Sequence, residues 1–254
     1  IYIQRSRGYS LRDSLSCEKI GDIISFVKNI DPNIIVIVDN CYGEFVQVKE
    51  PSEFGADLTI GSLIKNPGGG IAYSGGYIVG KKELIELCAN RLSAPGIGKE
   101  IGASVIGYRN VFMGIYNAAQ VVGEALKTAI FTAAAFELLG FEVSPRYNQE
   151  RFDIVQSIVL KSEEKLVLFC RAIQEKSPID SFVVPEAWDM PGYENKVIMA
   201  AGNFISGSSI ELSADGPLRE PYAVWFQGGT CFYTAKVAIM NAIEKIANAE
   251  NKSN

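Results

Sequence analysis

Three side chains that could serve one cofactor follow each other within the first 65 residues of the chain. Asp39 ends the apolar run at residues 34–38, Tyr42 comes three residues later, and Lys65 lies between a second apolar run and a glycine-rich turn. Pyridoxal phosphate needs two unlike partners, a carboxylate that keeps its ring nitrogen protonated and an amine that forms a Schiff base. The sequence therefore predicts a pyridoxal phosphate site in which Asp39 and Lys65 supply these groups.

Two strands must position these residues. The run IIVIV at 34–38 is continuous and β-branched, which is typical of a buried parallel strand, and it places Asp39 at the carboxyl end. The segment LTIGS at 58–62 predicts a neighbouring strand that brings Ser62 and then Lys65 to the same edge. Ligands of open α/β sheets bind outside the carboxyl ends of the strands. We therefore expect one site at this edge.

Each residue also has a simpler interpretation when it is taken alone. An aspartate before an asparagine often belongs to a turn, a single lysine is usually a solvated charge, and Tyr42 could be a core tyrosine at a strand end. The order in which Asp39, Tyr42 and Lys65 occur favours the cofactor interpretation.

Several motifs extend this pattern over most of the chain. They are VDNCY at 38–42, GAD at 55–57, SLIK at 62–65, GGG at 68–70, APGIGKEIGA at 94–103, FELLGFEVSP at 136–145 and SSIELSADGPLR at 208–219. These motifs resemble the fold type I pyridoxal phosphate enzymes of cysteine and methionine metabolism, and more narrowly the methionine gamma-lyase-related family often labelled aluminium resistance proteins.

The resemblance implies a role for each candidate residue. Lys65 would form the Schiff base and carry a proton at the substrate Cα, Tyr42 would hydrogen-bond the cofactor's ring oxygen, and Ser62 would bind its phosphate. We expect desolvation near cationic groups to lower the pKa of Lys65, because a neutral amine is the nucleophile. Arg219 is a candidate for binding the substrate carboxylate, and a surface salt bridge or a turn contact is an equally open alternative for it.

The resemblance implies an enzyme of amino-acid metabolism, a carbon–sulfur lyase that performs γ- or β-elimination on a sulfur amino acid. The motifs themselves do not separate elimination from transamination or racemisation, which share a carbanion intermediate. A pyridoxal-phosphate-dependent aminotransferase is therefore an alternative, and so is a non-catalytic oligomeric scaffold that keeps the fold. The family also implies a homodimer or homotetramer with active sites shared between subunits.

Composition excludes several other classes of protein. The 254 residues are 48% hydrophobic and 21% charged, with a net charge of -5. No Lys/Arg cluster is interleaved with aromatic residues, so nucleic acid is not an expected partner. No apolar run reaches the length of a membrane span, so a membrane is not an expected partner either. The chain has no histidine, which excludes a histidine-based triad or metal site, and no metal is expected. Five scattered cysteines predict reduced thiols in a cytoplasmic protein.

The fold class that we predict is α/β, with the second half of a fold type I, aminotransferase-like large domain followed by a smaller α+β domain. Residues 1–111 would belong to the large domain, 112–140 to a long connecting helix, and 141–254 to the small domain. The chain starts at Ile1 within an apparent strand, so we expect a piece whose relatives carry the start of the large domain before this point.

Periodicity predicts the other elements. Helices are expected from Ser16 to about Asn29 and at 81–91, 111–139, 163–175 and 231–247. The last helix is expected to be followed by a polar tail. Strands are expected at 154–160, 196–201, 210–213 and 223–226. Three arginines near the N-terminus, Arg5, Arg7 and Arg12, are carried toward the sheet edge. They could bind the cofactor or a substrate carboxylate, or form a loop of solvated charges.

Overall fold

A computed structural model describes residues 1–104 and 107–253, the last three as helical backbone only, and confirms the α/β class. The strands in this part of the chain are β1 (Tyr2–Gln4), β2 (Ile37–Asp39), β3 (Leu58–Ser62), β4 (Gly76–Gly80), β5 (Glu142–Ser144), β6 (Gln156–Val159), β7 (Val197–Ala200), β8 (Ser213–Pro217) and β9 (Ala223–Gln227). The helices are α1 (Cys17–Ile30), α2 (Lys82–Leu92), α3 (Arg109–Leu138), α4 (Glu163–Gln174) and α5 (Phe232–Ser253). Short 3₁₀ turns cover Pro51–Phe54 and Asn66–Gly68.

The first sheet has the order β1-β2-β3-β4, and its first three strands are parallel. Helix α1 makes the crossover from β1 to β2, which is the connection that parallel neighbours require. Ser16 caps this helix by accepting a hydrogen bond from the Lys19 amide, and one face carrying Ile20, Ile24 and Val27 is buried. That face packs against the apolar side chains of β1 and β2, so the position of β2 is set by a hydrophobic core.

The second sheet is antiparallel and has the order β5-β6-β9-β8-β7. Helices α3, α4 and α5 cover it, and their apolar faces share one core with the strands. Phe136 from α3, Phe169 from α4 and Phe226 from β9 are fully buried there. This sheet thus has its own core, separate from that of the first sheet.

Helix α3 contacts both parts of the molecule. Its buried stripe includes Gly114 and Ala118 near the start and Ala133 and Phe136 near the end. The early part packs on the turn Asn66–Gly68, and the late part packs on the second sheet and on α5. A methyl group at Gly114 would lie 2.3 Å from the Gly68 carbonyl oxygen, so only glycine permits this approach. The predicted long helix is confirmed, and it lies directly behind the turn that follows Lys65.

Two element boundaries differ from the prediction. The strand expected at 210–213 begins only at Ser213 and runs to Pro217. Its sequence has low β-propensity, but the strand is hydrogen-bonded to β7 on one side and to β9 on the other. The polar tail expected after residue 247 is part of α5, which extends to Ser253. Strands β4 and β5 were not predicted; they span five and three residues, respectively.

The remaining predicted helices and strands are confirmed to within a few residues. Residues 105 and 106, which fall in the predicted first domain, lie outside the described residues. None of the helices in the described part of the chain combines the length and hydropathy that crossing a bilayer requires.

Candidate active site

The predicted site residues lie at the carboxyl edge of the first sheet. Asp39 is the last residue of β2 and pairs in register with Ile60 of β3, and Ser62 is the last residue of β3. Lys65 follows in a tight turn, where its amide lies 3.4 Å from the Ser62 carbonyl oxygen. Because β2 and β3 are parallel neighbours, Asp39 and Lys65 reach the same edge, as the sequence predicted.

Tyr42 lies against Lys65. The Lys65 Nζ atom is 4.5 Å from the centroid of the Tyr42 ring, within the range of a cation–π contact. The Tyr42 hydroxyl accepts a hydrogen bond from Ser209 Oγ at 3.2 Å, and its carbonyl oxygen accepts one from the Ile154 amide at 3.1 Å. Two segments of the second half of the chain therefore hold Tyr42 in place beside the lysine.

The backbone of Tyr42 is in the left-handed region, with φ of 71°. A bulky residue rarely adopts this conformation, which costs on the order of 1 kcal/mol or more and persists only where the surroundings impose it. Here the conformation turns the chain sharply after Asp39 and brings the phenol ring over Lys65. Such outliers are common at functional sites.

Burial raises the pKa of the Tyr42 phenol. For Lys65, burial alone would lower the pKa, but Tyr42, Cys41 and Asp39 outweigh burial and raise it above the ordinary value. The predicted lowering of the Lys65 pKa is therefore wrong for this structure. The reason is that the groups facing the amine are a phenol, a thiol and a carboxylate rather than cations.

Asp39 is half-buried at the end of its strand. Its Oδ1 accepts a hydrogen bond from the Cys41 amide at 3.0 Å, and its Oδ2 accepts one from the Tyr2 hydroxyl at 2.7 Å. Burial and this hydrogen bond raise the pKa of Tyr2 to about 12. A carboxylate offers about four lone-pair positions, so Asp39 retains the capacity to accept from a protonated ring nitrogen.

Ser62 Oγ accepts a weak hydrogen bond of 3.3 Å from the Ile64 amide inside the turn. A hydroxyl that accepts in this way keeps its own proton for donation to an anion. Ser62 thus has the correct chemistry for a phosphate ligand and lies beside Lys65 in sequence and space.

Arg219 is not brought to this group. It follows β8, is exposed, and donates from Nη2 to the carbonyl oxygen of Tyr9 at 3.1 Å. Arg219 lines a surface pocket of about 500 Å³, and Tyr9 and Trp225 line the same pocket. Its predicted role as a carboxylate ligand stays a prediction.

Two of the three N-terminal arginines are buried in the fold. Arg5 is fully buried, and its Nη1 donates to Asn40 Oδ1 at 2.6 Å and to Glu50 Oε2 at 3.1 Å. Arg7 is also buried and donates to Ser144 and Ser157. Of the three, only Arg12 is exposed, and its guanidinium hydrogen-bonds backbone carbonyl oxygens. The solvated-loop alternative is wrong for Arg5 and Arg7, because both side chains are buried and hydrogen-bonded within the fold. Binding of the cofactor or a carboxylate by these arginines stays a prediction.

A buried carboxyl group that sequence reasoning missed lies two residues after Tyr42. Glu44 Oε1 accepts a hydrogen bond from the Tyr77 hydroxyl at 2.8 Å, and burial raises the pKa of Glu44 to about 8. Gly61 provides the space for this pair, because a methyl group there would lie 2.5 Å from Glu44 Oε1. The pair thus packs directly behind β3, and the YGE sequence at 42–44 was the available signal for it.

A second missed carboxylate, Asp215, is buried in β8 and lines a cavity of about 190 Å³ together with Tyr42. Burial raises its pKa to about 6, opposed by hydrogen bonds from Tyr9 and Gln227 and by the nearby charge of Lys65. The motif SSIELSADGPLR contained this residue, but its sequence did not show that it would reach the site.

The donor groups at the sheet edge fit pyridoxal phosphate. An amine, a carboxylate with open lone pairs, a hydroxyl and a phenol lie around the ends of β2 and β3, in Lys65, Asp39, Ser62 and Tyr42. These are the chemical types that the cofactor's aldehyde, ring nitrogen, phosphate and ring oxygen require. Within the described residues, no group of three or more acidic or cysteine side chains is arranged to hold a metal ion.

Comparison with known proteins gives consistent matches over nearly the whole chain. A sequence model of the methionine gamma-lyase family matches residues 1–247. An uncharacterized 33.9 kDa protein of Lactobacillus delbrueckii subsp. bulgaricus, from the region 5' of glnA, is 51% identical over 99% of this chain and 82% of that protein.

Two solved structures are similar in fold and sequence. A Listeria monocytogenes protein, provisionally described as a cystathionine beta-lyase involved in aluminum resistance, has a TM-score of 0.93 and 52% identity over 97% of this chain. A carbon-sulfur lyase involved in aluminum resistance from Clostridium novyi has a TM-score of 0.90 and 51% identity over 96% of this chain. The present chain spans 61% and 57% of these two proteins, respectively.

Proposed function

The chain belongs to the methionine gamma-lyase family, and we propose that it is the lysine-bearing part of a pyridoxal-phosphate-dependent carbon–sulfur lyase acting on a sulfur amino acid. The observation that supports this most is the contact between Lys65 and Tyr42 beside Asp39, at the carboxyl edge of a parallel sheet. This edge is where α/β proteins bind ligands.

Four residues of this chain would hold the cofactor. Lys65 would bind it covalently, Asp39 would pair with its ring nitrogen, Ser62 would contact its phosphate, and Tyr42 would contact its ring oxygen. When bound, the cofactor supplies an electron sink for the electrons left at the substrate Cα.

Lys65 would also move the proton at the substrate Cα, with Nζ as the base that accepts it and the acid that returns it. Tyr42 restricts the position of this amine, because its ring packs against Nζ and its hydroxyl is held by Ser209. Removal of that restraint would leave a flexible lysine with several rotamers, and poor positioning lowers catalytic rates strongly.

The finer features follow the sequence-based predictions. We propose that residues 1–111 complete a fold type I large domain, that 112–140 connect it to the small domain at 141–254, and that the cytoplasmic enzyme is a homo-oligomer with shared sites. Arg219 remains the candidate ligand for a substrate carboxylate, since its guanidinium is exposed near Tyr9.

The first test uses the full-length protein incubated with pyridoxal phosphate, then reduced with borohydride and mapped by mass spectrometry. We expect a yellow protein that bleaches on reduction and carries the adduct on Lys65. The variant Lys65→Ala should lose the adduct, whereas Lys127→Ala, which removes an exposed lysine of α3, should keep it. A colourless protein, or an adduct and activity that survive in Lys65→Ala, would reject the proposal.

The reaction type is tested with S-alkyl cysteines and S-alkyl homocysteines. A lyase releases a thiol, a 2-oxo acid and ammonia without any acceptor, because elimination needs only water. An aminotransferase would release no thiol and would require a second 2-oxo acid. Thiol release that depends on Lys65 is the expected result.

A further inference from the structure

The two turns that carry Tyr42 and Lys65 are joined by the side chain of Asn66. Asn66 directly follows the lysine, begins the 3₁₀ turn Asn66–Gly68 and is fully buried. Its Nδ2 donates a hydrogen bond of 3.0 Å to the backbone carbonyl oxygen of Glu44, which lies two residues after Tyr42. This bond therefore connects the same two turns as the contact between the Lys65 amine and the Tyr42 ring.

The turn that carries Lys65 is closed by its own backbone. The Gly68 amide donates to the Lys65 carbonyl oxygen at 3.0 Å. A methyl group at Gly68 would lie 1.8 Å from the Leu63 carbonyl oxygen, so the chain folds back tightly on itself. These internal contacts fix the shape of the turn, but its position relative to Tyr42 needs a bond to another segment.

The acceptor of the Asn66 bond lies in a segment that is held in place. The Gly43 amide donates to the Asn40 carbonyl oxygen at 2.9 Å, which closes the turn around Tyr42. The side chain of Glu44 is buried, and its Oε1 accepts a hydrogen bond from the Tyr77 hydroxyl of β4 at 2.8 Å. The Glu44 carbonyl oxygen is therefore a fixed point for the bond from the lysine turn.

The amide of Asn66 contributes through its donor. Its Oδ1 atom is buried and has no hydrogen-bond partner among the described residues, which destabilises the fold. The Glu44 carbonyl oxygen can only accept, so the nitrogen of the amide must be the atom that faces it. An apolar side chain would avoid the unpaired oxygen, and the bond from Nδ2 is what offsets that cost.

The link between the turns affects the amine as well as the fold. The Lys65 Nζ lies 4.5 Å from the centroid of the Tyr42 ring, and Tyr42 is one of the groups that raise the pKa of Lys65. If the lysine turn moved away from Tyr42, the amine would lose this contact. The relative position of the two turns therefore decides where the amine lies and how strongly it holds its proton.

We propose that Asn66 is a positioning residue for the Lys65 amine, which it holds against the Tyr42 ring by joining the two turns through the Glu44 carbonyl oxygen. Asn66 acts through Lys65, since its own side chain is fully buried and does not reach a substrate. The inference rests on the proposed function for the role of Lys65 in catalysis, whereas the link between the turns belongs to the chain without cofactor.

The first test is competitive acetylation of Lys65 in the full-length protein without cofactor, followed over a range of pH by peptide mass spectrometry. Asn66→Ala removes the donor. We expect the midpoint of the Lys65 profile to fall by at least about half a pH unit, toward the ordinary value of a lysine, because the groups that raise it are no longer held against the amine.

Asn241→Ala is the matched control. The Nδ2 atom of Asn241 also donates to a backbone carbonyl oxygen, that of Ala172 at 2.8 Å, but this bond joins α5 to α4. The variant loses the same kind of hydrogen bond and should keep the midpoint of the unmodified protein. A shift of equal size in both variants would contradict the specific role of Asn66.

A second variant separates the hydrogen bond from packing. Asn66→Asp keeps the shape of the side chain, and burial favours the neutral form of a carboxyl group, which can donate to the Glu44 carbonyl oxygen at pH 6. At pH 9 the group is ionised and cannot donate. We expect Lys65 to be acetylated at the rate of the unmodified protein at pH 6 and at the rate of Asn66→Ala at pH 9. Glu44 and Tyr77 titrate in all three proteins, so their effect cancels.

Kinetics of the cofactor-loaded enzyme give a third measurement. A misplaced amine slows the chemical step, so kcat for thiol release should fall at least about tenfold in Asn66→Ala. KM should stay within about threefold of that of the unmodified enzyme, because Asn66 does not contact the substrate. A raised KM at unchanged kcat would contradict the positioning role.

The outcomes separate the two proposals. An unchanged Lys65 midpoint in folded Asn66→Ala would overturn the positioning role, whatever the activity. An Asn66→Asp protein that does not fold at pH 6, or that differs equally from the unmodified protein at pH 6 and pH 9, would assign Asn66 to packing alone and also overturn it. A shifted midpoint in a protein that takes up no cofactor would support the link between the turns and reject the lyase function.

Discussion

The Lys65 amine and the Tyr42 ring are in cation–π contact, although they lie in the loops after two different strands. Three conditions produce this contact. The parallel pairing of β2 and β3 brings the loops to one edge, the left-handed φ of Tyr42 turns its ring inward, and Ser209 holds the hydroxyl. Since Tyr42 raises the pKa of Lys65, the tyrosine affects both the position and the protonation of the amine.

Replacing Tyr42 by Phe should lower the pKa of Lys65 while keeping the aromatic face. The hydroxyl that raises this pKa is removed, and burial then favours the neutral amine. Competitive acetylation of Lys65 across a pH range, read by peptide mass spectrometry, would give the midpoint. Tyr116→Phe, at an exposed position of α3, is the control. An unchanged midpoint in Tyr42→Phe would contradict the role assigned to the hydroxyl.

Glu44 should make the protein less stable as the pH rises. Its pKa is raised to about 8 in the fold, above the value near 4.5 of a free glutamate, so the folded state holds one more proton between these values. The stabilisation is complete below about pH 4.5 and is lost as the pH rises through about 8, at up to about 1.4 kcal/mol per pH unit.

Urea unfolding of the unmodified protein and of Glu44→Gln at pH 5 to 9 would measure this loss. The stability of the unmodified protein relative to Glu44→Gln should fall across the range, because glutamine does not titrate. The exposed Glu163→Gln of α4 gives the reference slope. If the difference in free energy of unfolding between Glu44→Gln and the unmodified protein does not change with pH, Glu44 is ionised in the folded protein.

Two glycines of α3 should respond oppositely to the same substitution. In Gly114→Ala the new methyl group would lie 2.3 Å from the Gly68 carbonyl oxygen, whereas in Gly123→Ala it would meet no atom within 4 Å. We expect Gly114→Ala to cost about 1 to 3 kcal/mol and to displace the turn after Lys65, and Gly123→Ala to be neutral or stabilising by up to about 1 kcal/mol.

Thermal unfolding and cofactor retention after dialysis would compare the two α3 variants. Loss of cofactor in Gly114→Ala, but not in Gly123→Ala, would connect the packing of α3 with the site. Equal behaviour of the two variants would show that the turn can adapt.

Arg7→Lys should destabilise the fold by about 1 to 3 kcal/mol, because a buried guanidinium would be replaced by a group that cannot reproduce its geometry. Arg7 Nη1 donates to the Ser144 carbonyl oxygen at 3.0 Å and to the Ser157 hydroxyl at 3.2 Å, which fastens the N-terminal segment to the second sheet. Urea unfolding would measure the loss. Arg146→Lys, at an exposed ion pair with Glu137, should show no measurable change. Comparable stability of the two variants would show that Arg7 is not needed for this connection.

Local sequence was sufficient to predict most elements and the lysine-bearing edge. The apolar face of α1 has the period of a helix, the continuous β-branched run before Asp39 has the composition of a buried parallel strand, and a helix between two strands implies a parallel sheet. Strand β8 was displaced in the prediction because its sequence has little β-propensity and is held by its two neighbours.

The sequence by itself determined which chemical groups reach the edge of the first sheet, because Asp39, Ser62 and Lys65 are placed there by strand ends that local patterns define. Only the tertiary structure decided what surrounds them. Ser209 and Asp215 lie more than 140 residues away from Lys65 in the chain, and they approach it because long-range contacts, such as the hydrogen bond from Ser209 to Tyr42, join the second half of the chain to the edge of the first sheet. Burial and the sign of neighbouring charges, and hence the pKa values of Lys65, Glu44 and Asp215, depend on that packing and have no local signal.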